Sequence, residues 1–240
     1  MRLDVYLVEQ GVVRSRGRAK DFIAAGKVKV NGVLAKKSSV TVASSDNVDV
    51  LEDDHPYVSR AALKLKGLLD ATSKRFDKAI VLDVGASTGG FTQVSLEYGA
   101  HHVYSVDVGT SQLDDVLRSD KRVTSIEQTD ARELTMKMFP VEPSILVADV
   151  SFISLEKIFP RVLTEIDSIF EIYCLVKPQF EVGRQHVEKG VVKNNDMRLK
   201  ALANVEICLQ NEGFEVVHDM VAPLAGSDGN VEYMVYAARP

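Results

Sequence analysis

The sequence is poor in cysteine and has no long apolar run. Its two cysteines, Cys174 and Cys208, lie far apart within apolar segments, which argues for buried thiols in a reducing compartment and against a disulfide framework. No stretch reaches the roughly 18 consecutive apolar residues that span a membrane. The opening stretch MRLDVYLVEQ places two acids where a secretion signal has its apolar core. We therefore expect a cytoplasmic protein that neither crosses nor binds a membrane.

Histidines are few and scattered along the chain. His101 and His102 are adjacent at the start of a predicted strand, whereas His55, His186 and His218 are isolated. None of these spacings is typical of a metal site, in which ligands recur at short, regular intervals. Packing or surface roles suit these histidines better, and we expect no metal ion.

Charge is divided unevenly along the 240 residues, a length that suits one large domain or a small domain joined to a medium one. The first 50 residues hold nine Lys/Arg against five Asp/Glu, whereas the remainder holds 20 against 29. Such asymmetry is typical of a basic module joined to an acidic one. The acidic, proline-containing segment LEDDHPYVSR lies between them. We place the boundary in it near Asp54, which predicts domains of residues 1–54 and 55–240.

The basic module combines two short helical patterns with a hairpin signal. RLDVYLVEQG has apolar residues on one helical face, and SRGRAKDFIAAG begins with Ser15 as a candidate N-cap. KVKVNGVLAKK alternates bases with valines and turns at Asn31-Gly32. Several bases lie near the start of the second helix, where backbone N–H groups also attract phosphate. The module therefore favours a nucleic-acid backbone as its partner.

The same segment resembles the S4 type of RNA-binding domain, first seen in a ribosomal small-subunit protein. The ordered set S-R-x-x-A-K, an apolar-x-x-G turn and V-x-V-N-G carries the resemblance. It implies that structured RNA is bound through shape and phosphate contacts, because side chains cannot easily read the major groove of A-form RNA. The candidate RNA-binding residues are Arg2, Arg14, Arg16, Arg18, Lys20, Lys27, Lys29, Asn31, Lys36 and Lys37.

Alternating strand and helix signals fill the acidic module and predict an α/β fold with a largely parallel sheet. Strands are predicted at AIVLDVG, HVYSVDVG, RVTSIE, SILVADV and EIYCLVKP, and a later helix is predicted from an Asp196 cap to Gly213. FEVVHDMVAP and NVEYMVYAA predict an antiparallel pair at the edge of the sheet. In open α/β sheets, ligands bind beyond the carboxyl ends of the strands.

Glycines and carboxylates cluster at those predicted strand ends. VLDVGASTGGFT forms a glycine turn after the first strand, and Asp107 after the next strand is placed to bind ribose hydroxyls. A dinucleotide fingerprint, G-x-G-x-x-G, would need glycine where Ser87 stands, so S-adenosylmethionine is favoured over a dinucleotide. Four carboxylates at or just after strand ends suit a ligand that bears an ammonium and a sulfonium: Asp83, Asp107, Asp130 and Asp149.

Four charged residues from distant segments stand at element ends or inside apolar runs, namely Lys64, Asp149, Lys177 and Glu232. This set resembles the Lys-Asp-Lys-Glu tetrad of FtsJ-like RNA ribose 2′-O-methyltransferases. Together with the S4-type module, the segments SRAALKL, LDVGASTGGFT, VADVSFISL, LVKPQFEVG and GNVEY make nearly the whole chain resemble the TlyA family. The expected fold is a Rossmann-like methyltransferase sheet with helices on both faces, preceded by a small α+β S4-type domain.

The TlyA resemblance implies an enzyme that methylates ribosomal RNA, free or in ribosomal subunits, at a cytidine ribose. It implies S-adenosylmethionine as the cofactor and the four tetrad residues as the catalytic ones. The residues that it implies around the cofactor are Asp83, Gly85, Ser87, Gly89, Gly90, Phe91, Asp107, Asp130 and Asp149.

The chemistry of the tetrad centres on Lys177. A ribose 2′-hydroxyl loses its proton as the methyl transfers, so the reaction needs in-line geometry and a proton acceptor. We hypothesise that Lys177 accepts the proton late in the transfer, that Lys64 and Glu232 orient it and the ribose, and that Asp149 bridges the tetrad to the cofactor. A lysine accepts a proton only when neutral, a state that burial and Lys64 favour and the two carboxylates oppose.

Three alternatives remain open on the sequence alone. VKPQF distantly resembles the [DN]-P-P-[FY] loop of base N-methyltransferases, although Lys177 replaces the acid or amide and Gln179 replaces the second proline. TlyA relatives are also labelled hemolysins, yet the chain offers neither a clear insertable apolar helix nor a cationic amphipathic one. An RNA-binding protein with an inactive methyltransferase fold is disfavoured, because all four tetrad positions are present.

Overall fold

The computed structural model describes residues 1–13, 16–43, 45–50, 56–226 and 229–240. The chain divides into two compact units, Met1–Arg60 and Ala61–Pro240. The expected boundary near Asp54 and the expected helix cap at Ser15 lie outside the described residues.

The first unit is a small α+β module whose three strands form an antiparallel sheet in the order β2-β1-β3. Its elements are α1 (Leu3–Glu9), α2 (Arg16–Ala24), β1 (Val28–Val30), β2 (Val33–Leu34) and β3 (Val48–Val50). The predicted turn joins β1 to β2, with φ of 52° at Asn31 and 77° at Gly32. These left-handed angles are the ones that a two-residue hairpin turn requires. Leu3 and Leu7 belong to the unit's own apolar core.

The second unit is built on a seven-stranded sheet in the order β6-β5-β4-β7-β8-β10-β9. Its strands are β4 (Ile80–Val84), β5 (His102–Val106), β6 (Val123–Ile126), β7 (Ile145–Ala148), β8 (Glu171–Val176), β9 (Glu215–Val221) and β10 (Tyr233–Ala238). The five predicted strands β4 to β8 run parallel to one another, whereas β10 runs antiparallel between β8 and β9. The predicted antiparallel pair is confirmed, with β9 at the sheet edge.

Helices cover the sheet on both faces, as expected. They are α3 (Ala61–Thr72), α4 (Gly90–Glu97), α5 (Asp115–Arg118), α6 (Phe159–Glu165), α7 (Pro178–Glu181) and α8 (Asn195–Asn211). Helix α3 packs on α4, and α6 packs on α8. Every residue of β4 and β7 is buried, which requires cover on both faces and is typical of parallel sheets. The Rossmann-like α/β architecture is therefore confirmed.

The start of α8 differs from the prediction. The expected cap was Asp196, but the helix begins at Asn195, and Asn194 is its N-cap. Asn194 Oδ1 accepts hydrogen bonds from the backbone N–H groups of Asp196 at 2.8 Å and Met197 at 3.3 Å. The predicted end is confirmed, because Gly213 follows the last turn with a left-handed φ of 84°.

Both cysteines are free thiols, and they lie in the second unit. Cys174 is buried in β8, as predicted, whereas Cys208 on α8 is only partly buried. Across the residues that the structure describes, no helix is both long enough and apolar enough to cross a membrane.

Candidate active site

The four charged residues of the predicted tetrad lie at the carboxyl-end edge of the large sheet. Asp149 directly follows β7 and Lys177 directly follows β8, so the parallel pairing of these strands brings both to one edge. The first residue of β10 pairs with the last residue of β8, which places Glu232 beside Lys177 in the ladder. Lys64 lies on α3, and α3 packs on β8 and β10.

Lys177 and Asp149 form an ion pair across the ends of β8 and β7. Lys177 Nζ lies 2.7 Å from Asp149 Oδ1, and the two side chains are 13% and 15% exposed. Asp149 Oδ1 accepts no hydrogen bond from the described residues, whereas Lys177 Nζ donates one to Ser151 Oγ at 2.9 Å. Lysine is rarely this buried without a partner, so Asp149 accounts for a lysine at the end of a core strand.

Lys64 and Glu232 form a second, more deeply buried ion pair. Lys64 Nζ donates to Glu232 Oε2 at 2.5 Å, and the side chains are 10% and 3% exposed. The second carboxylate oxygen, Glu232 Oε1, accepts a hydrogen bond from Gln179 Nε2 at 3.3 Å. Each buried charge thus has an opposite charge of its own, and removal of either partner would leave the other uncompensated.

Glu181, the last residue of α7, ties the loop after β8 to the loop after β7. Its carboxylate accepts hydrogen bonds from Ser154 Oγ at 2.6 Å and from the backbone N–H of Leu155 at 3.0 Å. Burial raises the pKa of this carboxyl above its ordinary value, against the effect of the two hydrogen bonds. The loops that carry Lys177 and Asp149 are therefore fastened to each other.

A cavity of about 590 Å³ opens at the same edge of the sheet, and we call it the strand-end cavity. Its volume lies within the range of about 300–1,000 Å³ that is usual for small-molecule sites. Five of the expected cofactor-binding residues line it: Gly85, Ser87, Asp107, Asp130 and Asp149. The other four are buried and lie outside its lining: Asp83, Gly89, Gly90 and Phe91.

Left-handed backbone angles shape the glycine loop between β4 and α4. The φ angle is 83° at Gly85, 48° at Ser87 and 98° at Gly89. A Cβ atom on Gly85 would lie 2.6 Å from the backbone oxygen of Asp149, so the end of β7 can approach only a glycine. The backbone N–H of Ser87 donates to Asp107 Oδ2 at 2.8 Å. The loop is thus held against the ends of both neighbouring strands.

Asp83 is a fully buried carboxylate near the end of β4, and one of its oxygens has no partner. Oδ2 accepts from Thr92 Oγ1 at 2.6 Å, whereas no donor reaches Oδ1 within the described part of the chain. Burial raises the pKa of Asp83 to about 7, against the hydrogen bond from Thr92. A cation bound nearby would favour the ionised form, so this residue fits a ligand with a positively charged group, such as S-adenosylmethionine.

Asp107 and Asp130 line the cavity while binding donors of the protein itself. Asp107 Oδ1 accepts from the backbone N–H of Gly109 at 2.7 Å. Asp130 accepts from the backbone N–H of Arg132 at 2.9 Å and forms an ion pair with its guanidinium. The hydrogen bond from that guanidinium lowers the pKa of Asp130. A carboxylate offers about four lone-pair sites, so both residues keep capacity for a ligand.

Two residues of the site were missed by sequence reasoning. Phe152 lines the cavity, is 91% exposed and has a left-handed φ of 67°, and its ring lies 5.2 Å from that of Phe180. A left-handed non-glycine residue is uncommon, and an exposed ring is unusual for a residue in an apolar segment. Gln179, which contacts Glu232, is the second. In the sequence, only their positions could have indicated these residues: Phe152 lies in the VSFIS segment and Gln179 in the VKPQF segment, each of which also contains or adjoins a tetrad residue.

The candidate RNA-binding residues of the first unit include three that bind other parts of that unit. Arg2 and Arg16 both form ion pairs with the buried carboxylate of Asp4, at 2.9 and 3.1 Å. The hydrogen bond from Arg2 holds the pKa of Asp4 well below its usual range. The Asn31 side chain makes two hydrogen bonds to the segment before β3. These residues contribute to the unit's own fold.

The remaining candidates differ in exposure. The exposed ones are Lys20, Lys36 and Lys37, and those of intermediate exposure are Lys27 and Lys29. Arg18 belongs to α2, and Arg14 lies outside the described residues. The unit therefore presents cationic side chains from α2 and from the segment that follows β2.

Within the described ranges, no three His, Cys, Asp or Glu side chains converge as metal ligands would. His102 has a packing role, because its ring lies 4.8 Å from that of Tyr104 and Nε2 lies 2.9 Å from Thr124 Oγ1. Burial lowers the pKa of His102, which favours the neutral ring.

Comparison with known proteins agrees with this arrangement. The model of the FtsJ-like methyltransferase family matches residues 57–239, and the model of the S4 domain matches residues 1–48. The Brachyspira hyodysenteriae protein named Hemolysin A is 41% identical over 98% of this chain and 99% of its own length. The 16S/23S rRNA (cytidine-2′-O)-methyltransferase TlyA of Mycobacterium tuberculosis is 41% identical over 98% of this chain and 88% of its own.

A solved structure gives the same result for the fold. A hemolysin-named protein from Streptococcus thermophilus superposes with a TM-score of 0.78 at 36% identity, covering 100% of this chain and 88% of its own. The similarity therefore extends over both parts of the sequence. The chain belongs to the FtsJ-like methyltransferase family, in the TlyA group that carries an S4 domain ahead of the methyltransferase domain.

Proposed function

We propose that the protein transfers a methyl group from S-adenosylmethionine to the 2′-hydroxyl of a cytidine ribose in ribosomal RNA. The observation that carries this proposal is the meeting of two Lys–carboxylate pairs, Lys177–Asp149 and Lys64–Glu232, at the sheet edge that also bears the strand-end cavity. The M. tuberculosis relative, named as a 16S/23S rRNA (cytidine-2′-O)-methyltransferase, supports the choice of RNA and nucleoside.

The strand-end cavity is the proposed cofactor site. S-adenosylmethionine supplies an electrophilic methyl group on its sulfonium when bound there. Asp107 accepts hydrogen bonds from ribose hydroxyls, as an acid at this strand end does in related α/β folds. Asp83 balances positive charge through its unpartnered oxygen, and the small residues of the glycine loop let the ligand approach the backbone. Asp149 belongs both to the cavity wall and to the tetrad, so it connects cofactor and substrate.

Lys177 is the proposed proton acceptor. The 2′-oxygen would form its bond to the methyl carbon as the bond from that carbon to the sulfonium sulfur breaks, which leaves the neutral thioether S-adenosylhomocysteine. Lys177 Nζ takes the hydroxyl proton late in this step. Asp149 Oδ1 lies 2.7 Å from Nζ, where its negative charge would stabilise the ammonium ion that proton transfer produces.

The other groups bind and orient the RNA. The Lys64–Glu232 pair orients Lys177 and the target ribose, and Phe152 offers an exposed ring on which a nucleobase can stack. We assign RNA backbone binding to residues 1–54, with Lys20, Lys36 and Lys37 as exposed phosphate contacts. Residues 55–240 form the catalytic domain in this proposal.

The test is an assay of purified protein with methyl-labelled S-adenosylmethionine and ribosomal RNA or subunits, followed by digestion to nucleosides. We expect the label in 2′-O-methylcytidine. Label on a base would support the N-methyltransferase alternative, and leakage of liposomes without cofactor would support a membrane-damaging activity. Either outcome without ribose methylation contradicts the proposal.

Gly85→Ala is expected to reduce both stability and cofactor affinity. The new Cβ would meet the backbone oxygen of Asp149 at 2.6 Å, so the glycine loop and the end of β7 must move apart. We expect at least a tenfold loss of S-adenosylmethionine affinity, roughly 1.4 kcal/mol, measured by calorimetry. Thermal unfolding of the same samples measures the loss of stability.

Gly213→Ala is the matched control for this prediction. Gly213 has a φ of 84°, close to the 83° of Gly85, but nothing lies within 4 Å of its Cβ position. The Gly213→Ala variant should therefore suffer only the backbone strain of an alanine at a left-handed φ, about 1–2 kcal/mol. Its cofactor affinity should not change. Equal loss of affinity in both variants would show that the approach of Asp149 to Gly85 has no part in cofactor binding.

A further inference from the structure

Gln179 contacts one ion pair of the tetrad while belonging to the loop that carries the other. It follows Lys177 by two residues, and Pro178 between them occupies the first turn of α7, where its fixed φ suits a helix start. Gln179 Nε2 donates to Glu232 Oε1 at 3.3 Å. The side chain therefore links the backbone at Lys177 to the Lys64–Glu232 pair.

The orientation of the Gln179 amide is determined by its partner. The Glu232 carboxylate can only accept hydrogen bonds when ionised, and Lys64 already binds its Oε2. The amide nitrogen must therefore face Glu232 Oε1, which leaves Gln179 Oε1 buried with no hydrogen-bond donor among the described residues. An unsatisfied buried acceptor lowers stability. Gln179 therefore makes its hydrogen bond to Glu232 at the cost of leaving its own Oε1 atom without one.

The surroundings of Glu232 give its carboxylate little freedom. Its side chain is only 3% exposed, and a Cβ atom on Gly226 would lie 2.5 Å from Glu232 Oε1. In the described part of the chain, Gln179 is the hydrogen-bond donor to this oxygen. Lys64, Gln179 and the bare backbone of Gly226 together fix the plane of the carboxylate.

We propose that Gln179 is a positioning residue that holds the Glu232 carboxylate in the orientation needed for methyl transfer. The inference rests on the proposed ribose methyltransferase function. The [DN]-P-P-[FY] loop that this segment distantly resembles has proline at the equivalent place, and proline has no side-chain donor. Glutamine at this place can therefore donate a hydrogen bond to Glu232, whereas the proline of that loop could not.

Gln179→Met tests the contact with an apolar side chain of similar length. We expect kcat to fall about 10- to 100-fold, the size of effect that the loss of one hydrogen bond to a charged group can produce. The KM values for RNA and cofactor should stay within about threefold, because Gln179 contacts neither ligand in the proposal. Gln210→Met, at an exposed position of α8, is the matched control and should keep wild-type kcat.

Gln179→Glu gives a readout that a packing role would not produce. Two adjacent carboxyls share a proton at low pH, and the protonated one then donates to the other as the amide did. At high pH both are ionised and repel each other. The activity of this variant relative to wild type should therefore rise as the pH falls from about 9 to about 6. Since this pH profile is measured on Gln179→Glu and on wild type, it does not depend on the stability of Gln179→Met.

Wild-type kcat in Gln179→Met, or a pH-independent activity ratio for Gln179→Glu, would overturn the inference. Lys177→Ala separates this failure from failure of the proposed function. If Lys177→Ala loses ribose methylation while both Gln179 variants keep it, the inference alone is wrong. If Lys177→Ala retains ribose methylation, the proposed role of the tetrad is wrong as well.

Discussion

Lys177→Ala is expected to lower the rate of methyl transfer by about 10²- to 10⁴-fold, the usual contribution of a positioned proton acceptor. Cofactor binding should be retained, because the strand-end cavity is lined by other residues. Asp149 would lose the cation 2.7 Å from its Oδ1, so thermal unfolding must accompany the assay to show that the variant is folded. Single-turnover transfer to ribosomal RNA and calorimetric titration with S-adenosylmethionine measure the two effects separately.

Two further variants sharpen this prediction. Lys177→Arg keeps the positive charge beside Asp149 but cannot release its proton at any accessible pH, so it should be nearly as inactive as Lys177→Ala. Lys193→Ala is the matched control, because Lys193 is 70% exposed and forms its ion pair with the exposed Glu188. Substantial activity in Lys177→Arg would show that the lysine acts by charge and not as a proton acceptor. Undiminished transfer by Lys177→Ala would refute the proposed role altogether.

Asp83→Asn is expected to stabilise the cofactor-free protein at pH 8 and to weaken cofactor binding. Burial raises the pKa of Asp83 to about 7 in the folded protein, whereas aspartate in an unfolded chain titrates near about 3.9. Between these values the folded protein binds a proton that the unfolded chain does not, so this group's contribution to stability falls as pH rises. The amide that replaces this carboxyl in the Asp83→Asn variant does not ionise, so the variant does not lose this stability as the pH rises.

The difference in stability between Asp83→Asn and wild type should therefore depend on pH. The whole pKa difference corresponds to about 4 kcal/mol, and the unpartnered position that the new amide nitrogen inherits costs about 2 kcal/mol at every pH. The variant should therefore be less stable than wild type by about 2 kcal/mol at about pH 4, and more stable by about 2 kcal/mol above about pH 8. Urea unfolding at several pH values measures this difference. A difference independent of pH would contradict the assignment of a raised pKa to Asp83.

Cofactor binding gives the second readout for the same variant. Loss of the carboxylate should weaken binding of S-adenosylmethionine at pH 8 by at least about tenfold, the effect of losing one favourable charge–charge interaction of about 1.4 kcal/mol across the buried cavity wall. Asp77→Asn is the control, because Asp77 is 65% exposed and forms its ion pair with Arg75, which is also exposed. Unchanged affinity in Asp83→Asn would show that this oxygen does not balance charge on the cofactor.

Local signals were sufficient to predict the strand ends. A parallel strand buried on both faces is a continuous apolar run, and a polar residue such as Asp107 or Asp149 marks where it stops. The hairpin turn was predictable for a similar reason, since Asn31 and Gly32 tolerate the left-handed angles that the turn needs. Because ligands bind at one end of such sheets, correct strand ends also located the candidate site.

The partners within the tetrad were not predictable from local signals. Lys64 and Glu232 are 168 residues apart, and they meet because β10 inserts antiparallel between β8 and β9 and α3 packs on it. A lysine in a helical pattern looks like a solvent-exposed residue until its partner is known. The prediction of where α8 begins was wrong for a different reason. Asn and Asp are both good N-cap residues, and propensity alone does not distinguish Asn194 from Asp196.

Mapping of ribose methylation on ribosomal RNA tests the central claim most directly. Cells that lack this protein are compared with the same cells carrying either the wild-type gene or the Lys177→Ala variant. The account predicts that methylation at one or more cytidine riboses is lost without the protein, is restored by the wild type and is not restored by the variant. Ribose methylation that is unchanged without the protein, or that Lys177→Ala restores, would contradict it.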